Sequence, residues 1–473
     1  MEEKRLSDNY NENITAVRQI LRVGASFDII ERHLTVAKRD MCFFYVDGFV
    51  KDGEAMRIMQ AFIAEKELLS AKATEKKIPY VEVELCQEQS KIIRAVLSGQ
   101  TAVFAENFGD TAILLDLRTY PARPTQEPES DRVMQGARDG FVETLVVNTA
   151  LIRRRIRDPR LTMEHFSLGG ASGTDVVVCY IDGVCDKETL NQVRTKLKTV
   201  KPKSLTLGYQ SLAETLIRKG WFNPFPKIRT TERPDAASAQ LLEGSVVVLC
   251  DTSPLAMILP TSIFDYLEET NDFYFPPLTG TYLRLVRTAI LLLSVIITPL
   301  WYLAIEYSAT LPPALSFIVP QNPGALPIIV QLLLVEIAID GLKIASMNTP
   351  DILSNSLSVV GALILGDFAV GVGWLCADVI LYMAFVAIAN FAQQNYELGY
   401  AFKFMRLMLL VLVFGFGIWG FVLGIGIFIL LVATNTTVTG RRYLYPLIPF
   451  SPKDLFRLVI RQKKTDFEDN MQT

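Results

Sequence analysis

The chain has 473 residues, with 47 basic and 50 acidic side chains and a formal net charge of −3. Its mean hydropathy of +0.28 is too high for an ordinary soluble protein with 21% charged residues. Only 12 of the charged side chains fall in residues 283–440, so a charged front half joins an apolar back half. A fully soluble enzyme and a fully disordered chain are excluded, and the near-neutral balance gives no support for nucleic-acid binding.

No apolar run precedes Ile14, so no secretory signal is expected and the front half is expected to stay in the cytoplasm. Residues 13–36 read as helical, from Ile14, Val17, Ile20 and Leu21 to Phe27, Ile30 and Leu34. Met41–Val46 reads as a strand closed by Asp47–Gly48. A helix follows from Gly53 to about Leu69, then another over Gln87–Leu97, then strands at Thr101–Ala105 and Thr111–Leu117. Three prolines mark Pro121–Ser130 as a linker. Gly136–Glu143 opens a helix running to Arg157, with Asp139 at its positive end and Arg153, Arg154 and Arg155 at its negative end.

The next block repeats the grammar of the first. Val176–Ile181 is a strand closed by Asp182–Gly183, and a helix follows over Lys187–Leu197. A later helix ends at Gly244 before strands at Ser245–Asp251 and Leu255–Leu259. FFYVDGFVKDGEAM aligns with VCYIDGVCDKETL, and SGQTAVFAENFGDTAILL with EGSVVVLCDTSPLAMIL, which points to an internal duplication. Asp–Gly pairs end strands because glycine reaches positive φ cheaply, so Asp47 and Asp182 read as turn residues, not ligands.

Three consecutive arginines cover three helical directions, so at least one of Arg153–Arg155 points into the fold. A buried arginine–carboxylate pair and a contact to a neighbouring subunit both fit. The six cysteines form no C-x-x-C pair and read as buried thiols. His33, in a charged stretch read as helical, and His165, before a Gly-rich loop, read as surface residues. No metal, no cofactor and no enzymatic activity are expected, because no nucleophile–base pair, P-loop or zinc spacing occurs.

In the back half, Thr288–Ile305 holds 18 uncharged residues, enough for a membrane span. Leu326–Ala345, Leu353–Gly373 and Leu375–Phe391 are also apolar, and Leu407–Leu431 reads as a last span. The tail carries Arg441, Arg442, Lys453, Arg457, Arg461, Lys463 and Lys464, so it is expected on the cytoplasmic side with the N-terminus. Crossings are then even in number. The segment expected not to cross is Leu326–Ala345, where Glu336, Asp340 and Lys343 share one face and make it interfacial or re-entrant. Acids within apolar segments, at Glu336, Asp340, Asp367 and Asp378, have few basic partners in sequence. They suggest a cation-accessible path or, read otherwise, helix ends at headgroup level. Gly420 and Gly424 form a G-x-x-x-G pair that permits close helix approach.

The expected fold is therefore a cytoplasmic α/β region of two duplicated units followed by an all-α polytopic membrane domain. The boundaries are 1–125 and 131–275 for the α/β units, 283–440 for the membrane domain with about four spans, and 441–473 for the tail.

Four strings together resemble one family, the A subunits of bacterial spore germination receptors. They are RDGFVETLVVNTALIRRRI from Arg138, NPFPKIRTTERPD from Asn223, DTSPLAMILP from Asp251 and VVGALILG from Val359. The resemblance spans roughly residues 30–450. The departures are similar to its stage V sporulation AF branch: Ala137 for a proline, Gln331 and Asp340 for glutamates, and Lys343 for an arginine. The resemblance implies a multi-pass protein of the spore inner membrane and a ring-shaped homo-oligomer, a pentamer, that conducts monovalent cations beside other germination membrane proteins. It makes the helix around Val359–Gly366 the pore lining, which helical spacing extends to Ser354, Leu357, Ser358, Gly361 and Leu365. Arg138, Arg153, Arg154, Arg155, Glu232 and Arg233 are expected to contribute to subunit contacts, or to the packing that shapes them. A non-conducting scaffold for receptor subunits is the alternative; a transporter would show inverted repeats in the membrane half, and none is seen.

Overall fold

The computed structural model describes residues 4–121, 136–200, 202–217, 222–348, 369–393 and 395–461. The chain forms two compact units. The first comprises Met1–Lys219, Ile228–Thr261 and Thr437–Gly440. The second comprises Gly220–Lys227, Ser262–Thr436 and Arg441–Thr473.

The first unit holds two antiparallel sheets built to one plan. Helix α1 (Tyr10–Leu21) precedes a hairpin of β1 (Ile29–Val36) and β2 (Arg39–Val46). Then come α2 (Asp52–Ala64), α3 (Ala71–Glu75), β3 (Val83–Cys86), α4 (Gln89–Leu97), β4 (Thr101–Ala105) and β5 (Ala112–Leu115). After α5 (Leu145–Arg155) the plan recurs. It runs through β6 (Leu161–Leu168), β7 (Thr174–Ile181), α6 (Lys187–Thr199), α7 (Tyr209–Leu216), β8 (Arg229–Thr231), α8 (Pro234–Leu242), β9 (Val246–Cys250) and β10 (Ala256–Leu259). The strand orders are β1-β2-β4-β5-β3 and β6-β7-β9-β10-β8, identical position for position. The Asp–Gly turns match too, with Gly48 and Gly183 at φ 78° and 82°. Helices cover both faces of each sheet, which is why MCFFYV and VVVCYI are apolar at nearly every position. All six cysteines are free and buried.

Three parts of the sequence reading are corrected here. Residues 13–36 are not one helix: α1 ends at Leu21, and Ile29–Val36 is an edge strand paired with β2 from Ile29↔Val46 to Val36↔Arg39. Ala37 and Lys38 make the turn with φ of 51° and 67°, a conformation usually signalled by Asn-Gly, so the hairpin carried no sequence mark. The helix expected from Gly53 to Leu69 stops at Ala64. The helix expected from Gly136 begins only at Leu145, because the preceding stretch is pinned elsewhere. Phe141 N–H donates to the Glu232 carbonyl (2.7 Å), and the Asn148 amide clasps both backbone groups of Val142. The Leu145 N–H donates to Asp251 (3.1 Å), which serves the helix start in place of Asp139. The linker Pro121–Ser130 lies outside the described residues apart from Pro121.

The second unit is helical: α9 (Thr270–Tyr274), α10 (Pro277–Glu306), α11 (Ile328–Asn348), α12 (Ala377–Phe391), α13 (Tyr396–Thr434) and α14 (Pro452–Val459). Helix α13 is not one rod. Gly417 sits at φ 54° and ψ −131°, outside helical space, and the chain folds back there. Phe402 and Phe428 rings lie 5.8 Å apart, and a Cβ on Gly424 would stand 3.5 Å from the Leu409 Cα. A straight helix would separate residues 409 and 424 by about 22 Å. A Cβ on Gly420 would fall on the Leu412 carbonyl. The single last span read from Leu407–Leu431 is thus two antiparallel limbs, 396–416 and 418–434. The G-x-x-x-G pair faces the opposite limb of the same chain, where only glycine lets the backbones approach so closely.

Candidate functional site

In the first unit the arginines of the 153–155 run take separate roles. Arg153 is 1% exposed and joins the two sheets. Its Nε donates to Asp28 Oδ2 (2.6 Å). Its terminal nitrogens reach Asp28 Oδ1 (3.1 Å), the Leu161 carbonyl (3.0 Å) and the Asp158 carbonyl (3.2 Å). This is the buried arginine–carboxylate pair, and it leaves Arg153 sealed within the protomer. Arg155 is half-buried and pairs with Asp139 at 2.6 Å, so that aspartate serves the end of α5 and not its start. Arg154 is exposed, with its guanidinium 4.6 Å from the centre of the Tyr120 ring. Arg233 is fully buried, forks onto Asp235 (2.8 and 3.1 Å) and donates to the Ala137 carbonyl (2.7 Å). Arg138 is exposed and Glu232 half-buried. Arg22 adds a second tie between the sheets through Asp182 (2.6 Å), the strand-ending aspartate of the repeat.

In the second unit, the acids of α11 meet bases on the first limb of α13. Glu336 accepts from Arg406 (2.6 Å) and pairs with Lys403 (3.1 Å), and Lys403 also holds Asp340. Arg406, Glu336 and Lys403 are all buried, and Arg406 also donates to the Ser294 carbonyl of α10 (3.3 Å). Lys343 places its ammonium 4.6 and 4.5 Å from the Tyr396 and Tyr400 rings. The spacing that put Glu336, Asp340 and Lys343 on one face was right. That face meets α13, with basic partners that are remote in sequence. Asp378 lies half-buried in the first turn of α12. Asp367 and the expected pore residues Ser354, Leu357, Ser358, Gly361 and Leu365 lie outside the described residues.

Two polar centres were not foreseen. Gln331 is fully buried; its amide donates to the Pro323 (2.6 Å) and Leu326 (2.7 Å) carbonyls, and its oxygen accepts from Cys376 N–H (2.8 Å). A carboxylate accepts only, so the glutamine at this position is what lets it clasp a turn and the start of α12 together. At the start of α10, Arg287 donates to Asp272 (3.0 Å) and Glu269 (2.8 Å), and Arg284 pairs with Glu268 (2.9 Å). The acidic cluster Glu268–Asp272 just ahead of two arginines was the available signal. Among the described residues, Glu31, His33 and Cys42 bring three metal-ligating atoms together.

Helix α10 and the Tyr396–Thr434 segment, which is folded into two limbs at Gly417, are long and apolar enough to cross a membrane by length and composition. Their outward faces carry Leu285, Leu292, Leu300, Phe414 and Trp419, all exposed, while the basic residues Arg284, Arg287, Lys403 and Arg406 are buried. This inverts the arrangement of a soluble bundle. The class defined is a two-part protein, a duplicated α/β unit followed by a membrane-associated helical unit.

The family model described as Bacillus/Clostridium GerA spore germination protein matches residues 16–472, and the chain belongs to that family. It is 35% identical to stage V sporulation protein AF of Bacillus subtilis (strain 168), over 98% of this chain and 94% of that protein. It is 27% identical to spore germination protein KA of the same organism (85% and 75%) and 25% identical to spore germination protein A1 (86% and 84%). Among solved structures it is similar to the N-terminal domain of the A subunit of the Bacillus megaterium spore germinant receptor GerK3. That match has TM-score 0.41 and 21% identity, covering 55% of this chain and 97% of that one.

Proposed function

We propose that this germination-family protein is a gated, homo-oligomeric cation channel of the spore inner membrane that promotes the release of monovalent cations during germination. The observation that carries the reading is the buried Glu336–Arg406–Lys403 network, extended by half-buried Asp340, among helices with apolar outer faces, since ionisable groups at membrane depth are costly and mark function. The protein is read as multi-pass, pentameric and non-enzymatic, with both termini cytoplasmic and other germination membrane proteins as neighbours. Arg138 and Arg154, the exposed arginines of the set, are the residues proposed for subunit contact. The segment from Ser354 to Leu365 is proposed to line the pore.

The test is cation flux through purified protein in liposomes. Wild type is expected to conduct. Leu357→Glu and Gly361→Trp are expected to change conductance with the oligomer intact, and a change at Val359 to do less. Glu336→Gln is expected to lower cation flux, because it leaves two buried cations without their shared carboxylate. Pore variants with wild-type currents remove that segment from the path. The scaffold reading is favoured by one observation, that Glu336 is already neutralised by its own chain. Silent liposomes with a well-assembled oligomer establish it.

A further inference from the structure

Outside the helical unit, the first hairpin holds a cluster with no part in the reading above. Glu31 and His33 lie two residues apart on β1 and so on one face of it, and Cys42 of β2 is the cross-strand partner of His33. His33 Nε2 is 2.7 Å from Glu31 Oε1. Cys42 Sγ is 3.9 Å from Glu31 Oε1 and 4.0 Å from His33 Nε2. These ligand atoms all lie within 4.8 Å of one another, a grouping found at no other place among the described residues.

We propose that Glu31, His33 and Cys42 bind one divalent transition metal of the zinc class, with a water in the fourth position. The donor set is one imidazole, one thiolate and one carboxylate, which suits a borderline-soft ion and not magnesium or calcium. Tetrahedral zinc with bonds near 2.0–2.3 Å separates such donors by roughly 3.3–3.6 Å. The sulfur therefore moves in by a few tenths of an ångström, and the Glu31–His33 pair opens by about as much. Arg18 grips both oxygens of Glu31 (2.5 and 2.8 Å), the kind of outer partner that fixes a ligating carboxylate in place. Half of the His33 side chain is exposed, which gives an ion an entry route.

A second observation points the same way. The Tyr10 hydroxyl is buried without a hydrogen-bond partner, and its ring packs on the core cluster that contains Cys42. It is a hydrogen-bond donor in want of an acceptor, and a metal-bound water is a partner of that kind. Binding replaces the Cys42 S–H bond by a metal–sulfur bond and releases that proton to solvent, with no change of oxidation state.

The experiment uses the full chain in detergent, stripped of metal and titrated with Co(II) alone. One equivalent is expected to raise a cobalt–thiolate charge-transfer band in the near ultraviolet, and Zn(II) is expected to erase it. Cys42→Ser should abolish the band. His33→Gln, at an exposed position, should weaken binding at least about tenfold. Circular dichroism confirms that both variants are folded. A wild-type protein without the band, or a band that survives in Cys42→Ser, overturns the proposal, as does a His33→Gln protein that binds as wild type does.

Discussion

Arg153 and Asp28 are each 1% exposed at the side chain, so each guanidinium and carboxylate oxygen bond replaces lost hydration. Removing one partner leaves the other charged and buried. Asp28→Asn or Arg153→Met is expected to destabilise the α/β unit by about 3–5 kcal/mol, read from the denaturant midpoint. Changing Arg154 in the same run should move the midpoint by no more than about 0.5 kcal/mol, since it is a surface residue. The sequence established that one of the three arginines turns inward, because consecutive residues on a helix point about 100° apart. It did not establish which, because the choice rests on Asp28, 125 residues upstream in the chain. Lys403 and Arg406 were invisible as partners of Glu336 for the same reason: pairing across 70 residues leaves no local spacing to read.

At the level of elements, apolar periodicity located six of the ten strands and several of the helices to within a few residues, and the repeated strings pointed to a duplicated α/β unit, which the structure shows as two sheets with one strand order. Strands β3, β6 and β8 were not read at all, and two other failures were turns. Ala37–Lys38 reverses the chain without glycine or asparagine, so β1 merged with α1 in the sequence reading. Gly417 reverses it inside 34 uncharged residues, where every position suits a helix equally. The hairpin in α13 makes its own prediction. Gly420→Leu drives a side chain into the Leu412 carbonyl, a backbone group that has no room to yield. The expected result is a loss of about 3 kcal/mol or more, or failure to accumulate in the membrane. Gly426→Leu, where a Cβ meets open space, serves as the control and should be tolerated. Equal tolerance at both sites would mean that the limbs do not pack in this way.

For the whole molecule, the proposed ring makes a prediction that the fold of one chain does not. Arg154→Glu is expected to lower the oligomer's native mass, since like charges set across an interface cost several kcal/mol, while the melting of the α/β unit is unchanged. An unchanged mass assigns Arg154 to the Tyr120 contact alone.

The return of Thr437–Gly440 to the first unit has a consequence for the order in which the protein is made. Val438 is 4% exposed and belongs to the core of the second sheet, with Val248, Leu197 and Leu212. The rest of that core has left the ribosome by Leu259, yet its last side chain follows only after α9 to α13 have been synthesised. A nascent α/β unit is therefore incomplete while the apolar helices are being handled, and it closes when they are done. Val438→Ala should cost about 1.6 kcal/mol from the two buried carbons it removes. It should also raise the protease sensitivity of the α/β unit in the finished protein, and a wild-type digestion pattern would show that this last piece does not seal the core.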